Sequence, residues 1–157
     1  MSACDPRLLA DVTRAEGSRA TAYRDLLGNW TAGVGHLLDQ KQDWANVVFS
    51  PDQIKQWIAS DLADSESEAR GLLEWSKLNA PCRKNAIIEI IFNMGDVHWR
   101  SEFPKTRSAI FRQDWQAAHD HLIASPEWVK EVGIGRVTRL ANYLLDGDYP
   151  SVDHAAT

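Results

Sequence analysis

Cysteine is scarce in this chain of 157 residues: there are two, Cys4 and Cys82, with no Cys-x-x-Cys pair and no dense spacing. A disulfide framework is excluded as the basis of the fold, and two free thiols in a reducing compartment are expected. Long apolar runs are missing too. The longest, Ala86 to Phe92, is interrupted by Glu89 and falls short of the roughly 18 residues that read as a membrane span, so no stable membrane insertion is expected. The opening Met1-Ser2-Ala3-Cys4-Asp5-Pro6-Arg7 has no apolar stretch, which predicts no secretory signal and accumulation in the cytoplasm. Positive charge is in deficit, 17 Lys and Arg against 22 Asp and Glu for a net −5. Nucleic-acid binders normally carry a strongly basic footprint, so no nucleic acid partner is expected. Metal spacing is also lacking. His119 and His121 lie two apart on different helix faces, and with His98 and His154 they give no zinc pattern. The glycines at 28, 33 and 35 lack the Lys-Ser/Thr of a phosphate loop. No metal or cofactor is expected.

Hydrophobic residues make up 44% and charged residues 25%, the balance of a globular chain and not of a disordered or fibrous one. The length suits one domain, on a scale of about 100–200 residues per domain. Seven Trp stand among three Tyr and four Phe.

Asp5-Pro6 reads as an N-cap followed by Pro at the first helical position, and Leu8, Leu9, Val12 and Ala15 supply an apolar stripe. Glu16-Gly17 ends that helix. From Thr21 to His36 the residues change to Thr, Tyr, Trp and Val punctuated by glycine, which predicts a small hairpin. Ser50-Pro51-Asp52-Gln53 is a capping-box signature. Ile54, Trp57, Ile58, Leu62, Ser65, Ala69, Leu72 and Leu73 then recur at helical spacing, so a helix of about 51–74 is expected, its charged middle (Asp61, Asp64, Glu66, Glu68) suited to crossing solvent between two lobes. After Pro81 everything reads as helix. Ala86 to Phe92 is apolar nearly all round and marks a buried central helix closed by Gly95. Pro104, Asp114 and Ser125-Pro126 each start a further helix, and Gly135 precedes a last one running to Gly147. The expected fold is α+β and mainly helical. It has a small α/β lobe at about 16–58, a bridging helix, and an all-helical lobe at about 79–148 joined by the N-terminal helix, with a cleft between lobes and no separate binding domain.

Glu16 and Asp25 lie on either side of the predicted helix end and hairpin, which can bring them across a cleft. Two carboxylates in unlike surroundings are what glycosidic cleavage needs: one protonated to donate to the leaving oxygen, one ionised to activate water or stabilise the oxocarbenium-like charge. Thr31, on the returning strand, adds a hydroxyl able to hold a water.

The segment Arg14-Ala15-Glu16-Gly17, Ala22-Tyr23-Arg24-Asp25 and Gly28-Asn29-Trp30-Thr31-Ala32-Gly33-Val34-Gly35-His36 resembles the active-site region of phage-type lysozymes, the glycoside hydrolase family 24 endolysins. Ile91-Phe92-Asn93-Met94-Gly95, Trp128 and Gly135-Arg136-Val137-Thr138-Arg139 extend the resemblance across nearly the whole chain. It implies a two-lobed lysozyme-like fold and hydrolysis of the β-1,4 bond between N-acetylmuramic acid and N-acetylglucosamine in peptidoglycan, with inversion, causing host-cell lysis. By position Glu16 becomes the general acid, Asp25 the second carboxylate and Thr31 the water-positioning hydroxyl. Arg136 matches an arginine expected to pair with Glu16. The resemblance also implies an ion pair between His36 and Asp61, and substrate contacts at Asn93, Met94 and Gly95. Trp30, near the hairpin tip, is a candidate sugar-stacking platform; Trp57, Trp75, Trp115 and Trp128 read as packing.

The implied protein is a monomer that gathers in the host cytoplasm and reaches the wall, in the periplasm of a Gram-negative host, when a holin permeabilises the membrane. A lytic transglycosylase in the same cleft, or a non-catalytic virion or binding protein on the same scaffold, are the alternatives. The acidic balance fits an anionic wall poorly. It is uneven, however: Arg100 to Arg139 holds seven Lys or Arg against five Asp or Glu, whereas Asp61 to Glu74 holds five acids against Arg70 alone.

Overall fold

The structure is a computed structural model that describes residues 7–16, 21–25, 27–32 and 36–150, the side chain of Glu16 excepted. The predicted start of the first helix at Asp5-Pro6 and its stop at Gly17 lie outside these residues, as do Cys4, Gly33, Gly35 and His154. Backbone contacts divide the chain into two compact units, with the boundary inside one helix, between Asp64 and Ser65.

The first unit holds α1 (Arg7–Glu16), β1 (Tyr23–Arg24), β2 (Trp30–Ala32), β3 (His36–Leu37) and the opening of α2 (Pro51–Arg70). The N-terminal helix, expected to join the helical part, is grouped with the sheet instead. Its buried stripe is narrower than the sequence suggests: Leu8 and Val12 are buried, while Ala15 is exposed. The predicted hairpin is a three-stranded antiparallel meander, β1-β2-β3, with Tyr23 opposite Thr31 and Thr31 opposite Leu37. The third strand is only two residues long, too short for a period-two pattern to register.

α2 starts where its cap predicts: the Ser50 hydroxyl accepts the Gln53 backbone N–H at 3.1 Å. Its end differs from expectation. The helix stops at Arg70, where Gly71 and Leu72 turn back onto Glu68 and Ala69 through i→i−3 bonds, and a 3₁₀ segment, Leu73–Lys77, follows. Leu73, counted in the apolar stripe, is therefore exposed, and Glu66, counted in the charged middle, is buried.

The second unit continues with α3 (Pro81–Met94), α4 (Asp96–Glu102), α5 (Pro104–Phe111), α6 (Trp115–Ile123), α7 (Pro126–Val132) and α8 (Ile134–Asp146). α3 is the buried centre, lined by Ala86, Ile87, Ile88, Ile90 and Ile91, and Gly95 closes it at φ 80°, a conformation glycine adopts without strain. Asp114 caps α6 by accepting the Ala117 N–H at 3.1 Å. α4, which the sequence pattern did not separate from its neighbours, carries Trp99 into the core against Phe103, which in turn meets the edge of Trp128. Cys82 is a buried free thiol. No helix among the described residues is long and apolar enough to cross a membrane.

Candidate active site

The turn between β1 and β2 is built around one carboxylate. Asp25 closes a reverse turn with Gly28 N–H donating to its carbonyl, and Gly28 takes the positive φ of 80° that the turn demands. The side chain ties the same loop: Asp25 Oδ1 accepts the backbone N–H of Leu27 at 2.9 Å and of Asn29 at 2.8 Å. Asn29 Nδ2 stands 3.5 Å from Asp25 Oδ2. Two residues on, Thr31 is 1% exposed, and its hydroxyl donates to the Asn29 carbonyl at 3.0 Å. Asp25 and Thr31 are thus joined through Asn29, to which spacing alone assigns no role. Asn29 stands beside the turn glycine, a setting in which Asn commonly bonds locally, and this was the available signal.

Trp30 is half-buried, and the Arg24 guanidinium lies 4.0 Å from its ring centroid. One face of the candidate stacking platform therefore already carries a cation, held in place by its bond to the Gly28 carbonyl at 2.8 Å. Gln40 clamps the Trp30 backbone on both sides, accepting its N–H at 2.6 Å and donating to its carbonyl at 2.9 Å. His36 meets Asp61 as expected, with Nδ1 3.1 Å from both carboxylate oxygens, and its ring stacks 5.0 Å from that of Trp57. This contact fastens β3 to α2. Glu16 ends α1, and its carboxyl lies outside the described side chains.

The other residues singled out lie in the helical unit. Asn93, Met94 and Gly95 form the end of α3, half-buried, with Asn93 Nδ2 donating to the Glu89 carbonyl at 2.9 Å. Arg136, expected at Glu16, donates from Nε to Glu89 at 2.9 Å. Arg139 reaches the same carboxylate with a fork, 3.1 Å to Oε2 and 2.7 Å to Oε1. Glu89 is 1% exposed, so α3 carries a buried anion inside the stretch that reads as wholly apolar. Its presence among isoleucines was the signal that a cation must pack there. Elsewhere His119 sits 2.8 Å from Asp120, and hydrogen bonds from His119 and Gln116 hold that exposed carboxyl below its ordinary range. Among the described residues no group of three or more His, Cys, Asp or Glu could hold a metal ion.

A small three-stranded antiparallel sheet in a mainly helical chain matches a lysozyme-like fold. The phage lysozyme family model matches residues 13–142, and the chain belongs to that family. It is an enzyme, a glycoside hydrolase of the lysozyme and endolysin kind, with peptidoglycan as its substrate. No curated protein matches the chain significantly.

Proposed function

We propose that the chain is an endolysin muramidase that cleaves the β-1,4 bond between N-acetylmuramic acid and N-acetylglucosamine with inversion, lysing the host cell. The observation that carries this reading is the Asp25–Asn29–Thr31 turn, in which an oriented carboxylate and a hydroxyl share one loop. Glu16, protonated, gives its proton to the glycosidic oxygen as the bond from that oxygen to the anomeric carbon breaks. Asp25, ionised, takes a proton from the water that attacks the opposite face, so the new reducing end has inverted configuration. The Thr31 proton is committed to the Asn29 carbonyl, which leaves the hydroxyl lone pairs to accept from that water. Inversion requires the two carboxyls to stand roughly 6.5–9.5 Å apart; retention needs about 5–5.5 Å.

In this reading the enzyme works as a monomer. It gathers in the host cytoplasm and meets the wall once a holin opens the membrane. Trp30, Asn93, Met94 and Gly95 contact the glycan, and Arg136, His36 and Asp61 support the scaffold.

Substituting Glu16→Gln keeps size and removes the transferable proton. Wall lysis is expected to fall by roughly 10²–10⁴-fold while far-ultraviolet circular dichroism keeps the wild-type helical signal. Lysis unchanged in E16Q contradicts the assignment.

A further inference from the structure

We infer that Asn29 is a positioning residue that aims Oδ2 of Asp25 at the attacking water, an inference that rests on the hydrolysis proposed above. Oδ1 of Asp25 is occupied, since it takes two backbone N–H groups. The reacting oxygen is therefore Oδ2, and among the described residues the side chain that approaches it is Asn29, through Nδ2 at 3.5 Å. At that length the amide leaves Oδ2 a lone pair for a proton, yet still presents a donor that orients the carboxylate. Contacts of this kind are often long in a free enzyme and tighten when the substrate arrives.

The same residue governs the other partner of the water. The Asn29 carbonyl accepts the Asp25 N–H at 2.9 Å and the Thr31 hydroxyl at 3.0 Å. A water that donates one O–H to Thr31 Oγ1 and the other to Asp25 Oδ2 keeps a lone pair for the anomeric carbon. As the new C–O bond forms, the proton passes to Oδ2. Asn29 thus sets two directions at once: its backbone fixes the Thr31 hydroxyl and its amide fixes the carboxylate.

Among the described residues, the following charged groups of the neighbouring elements have partners of their own. Arg24 of β1 is held on the Gly28 carbonyl and Trp30, and Asp39 beyond β3 takes the Lys41 N–H and Gln42 Nε2. His36 of β3 and Asp61 of α2 face each other.

Two substitutions separate the amide from the backbone, because both keep every main-chain bond of the turn. Asn29→Val removes the donor, and Asn29→Asp replaces it with a second carboxylate of the same shape. Release of reducing ends from purified peptidoglycan is followed against pH, with melting curves for each variant. Asn29→Val is expected to lower kcat about tenfold, one hydrogen bond's worth, with KM unchanged. Asn29→Asp is expected to move that limb upward by about one pH unit or more, because two close carboxylates resist joint ionisation. A turn residue with a merely structural role lowers the melting temperature and leaves the limb in place. Wild-type kcat and an unmoved acid limb in folded Asn29→Asp overturn the inference, whatever the fate of Asn29→Val. A wild-type chain that releases no reducing ends at any pH overturns the hydrolase reading instead, so the two failures are distinguishable.

Discussion

Arg107→Ala is expected to destabilise the helical unit by roughly 3–5 kcal/mol, the cost of leaving a buried charge without its partner. Glu74, in the 3₁₀ segment, is 1% exposed and takes three donors: Trp99 Nε1 at 3.0 Å, Arg107 Nε at 2.7 Å and a terminal Arg107 nitrogen at 3.0 Å. Burial pushes its carboxyl up, but the Arg107 guanidinium, a backbone N–H and the Trp99 indole outweigh burial and hold it below the ordinary 4.5. Because the folded carboxyl is more acidic than the unfolded one, its contribution is fully present above about pH 4.5 and is lost as pH falls through the folded value. In Arg107→Ala the sign reverses. Burial then dominates, the carboxyl rises above its ordinary value, and the variant is expected to gain stability as pH falls from that raised value towards about 4.5, above the range in which the wild type loses it. Urea titrations of both proteins near neutral pH and near pH 4 check this. A double substitution, Glu74→Gln with Arg107→Leu, is expected to recover much of the loss, since it removes both charges together.

Asp25→Asn is expected to lower the rate of glycan hydrolysis by roughly 10²–10⁴-fold, the contribution of a well-placed base. Its value as a test lies in what it leaves alone. The asparagine carbonyl can accept the same two backbone N–H groups that Asp25 Oδ1 accepts from Leu27 and Asn29. The Asn29 amide can rotate to present its oxygen. The turn is therefore expected to persist, with thermal stability near that of the wild type, while the oxygen proposed to take a proton from water is replaced by a nitrogen that cannot. Activity within a few-fold of wild type removes Asp25 from the mechanism.

Local chemistry made some of the fold legible. Ser50-Pro51 starts α2, Asp114 starts α6, and Gly95 ends α3, because a cap needs only residues within one turn of itself. The end of α2 was not legible, since Leu72 and Leu73 continue a helical spacing that the tightened bonds at Gly71 break. The tertiary charge pairs were hidden for another reason. Glu74 meets Arg107 and Glu89 meets Arg136 and Arg139 across long stretches of chain, and no short-range pattern encodes such a partner. At the site the spacing of Asp25 and Thr31 was readable, and the resemblance gave it chemical meaning. The part played by Asn29 lies in backbone bonds, which spacing does not show.

The proposed reaction cuts peptidoglycan by adding water, with Glu16 as the acid and Asp25 as the base. Its most direct test is end-group analysis of purified peptidoglycan digested by the wild type and by Glu16→Gln. Muramic acid reducing ends formed by the wild type and lacking in E16Q are the predicted result. Anhydromuramic ends, the product of internal attack by the sugar's own hydroxyl, or equal yields of reducing ends from both proteins, would contradict it.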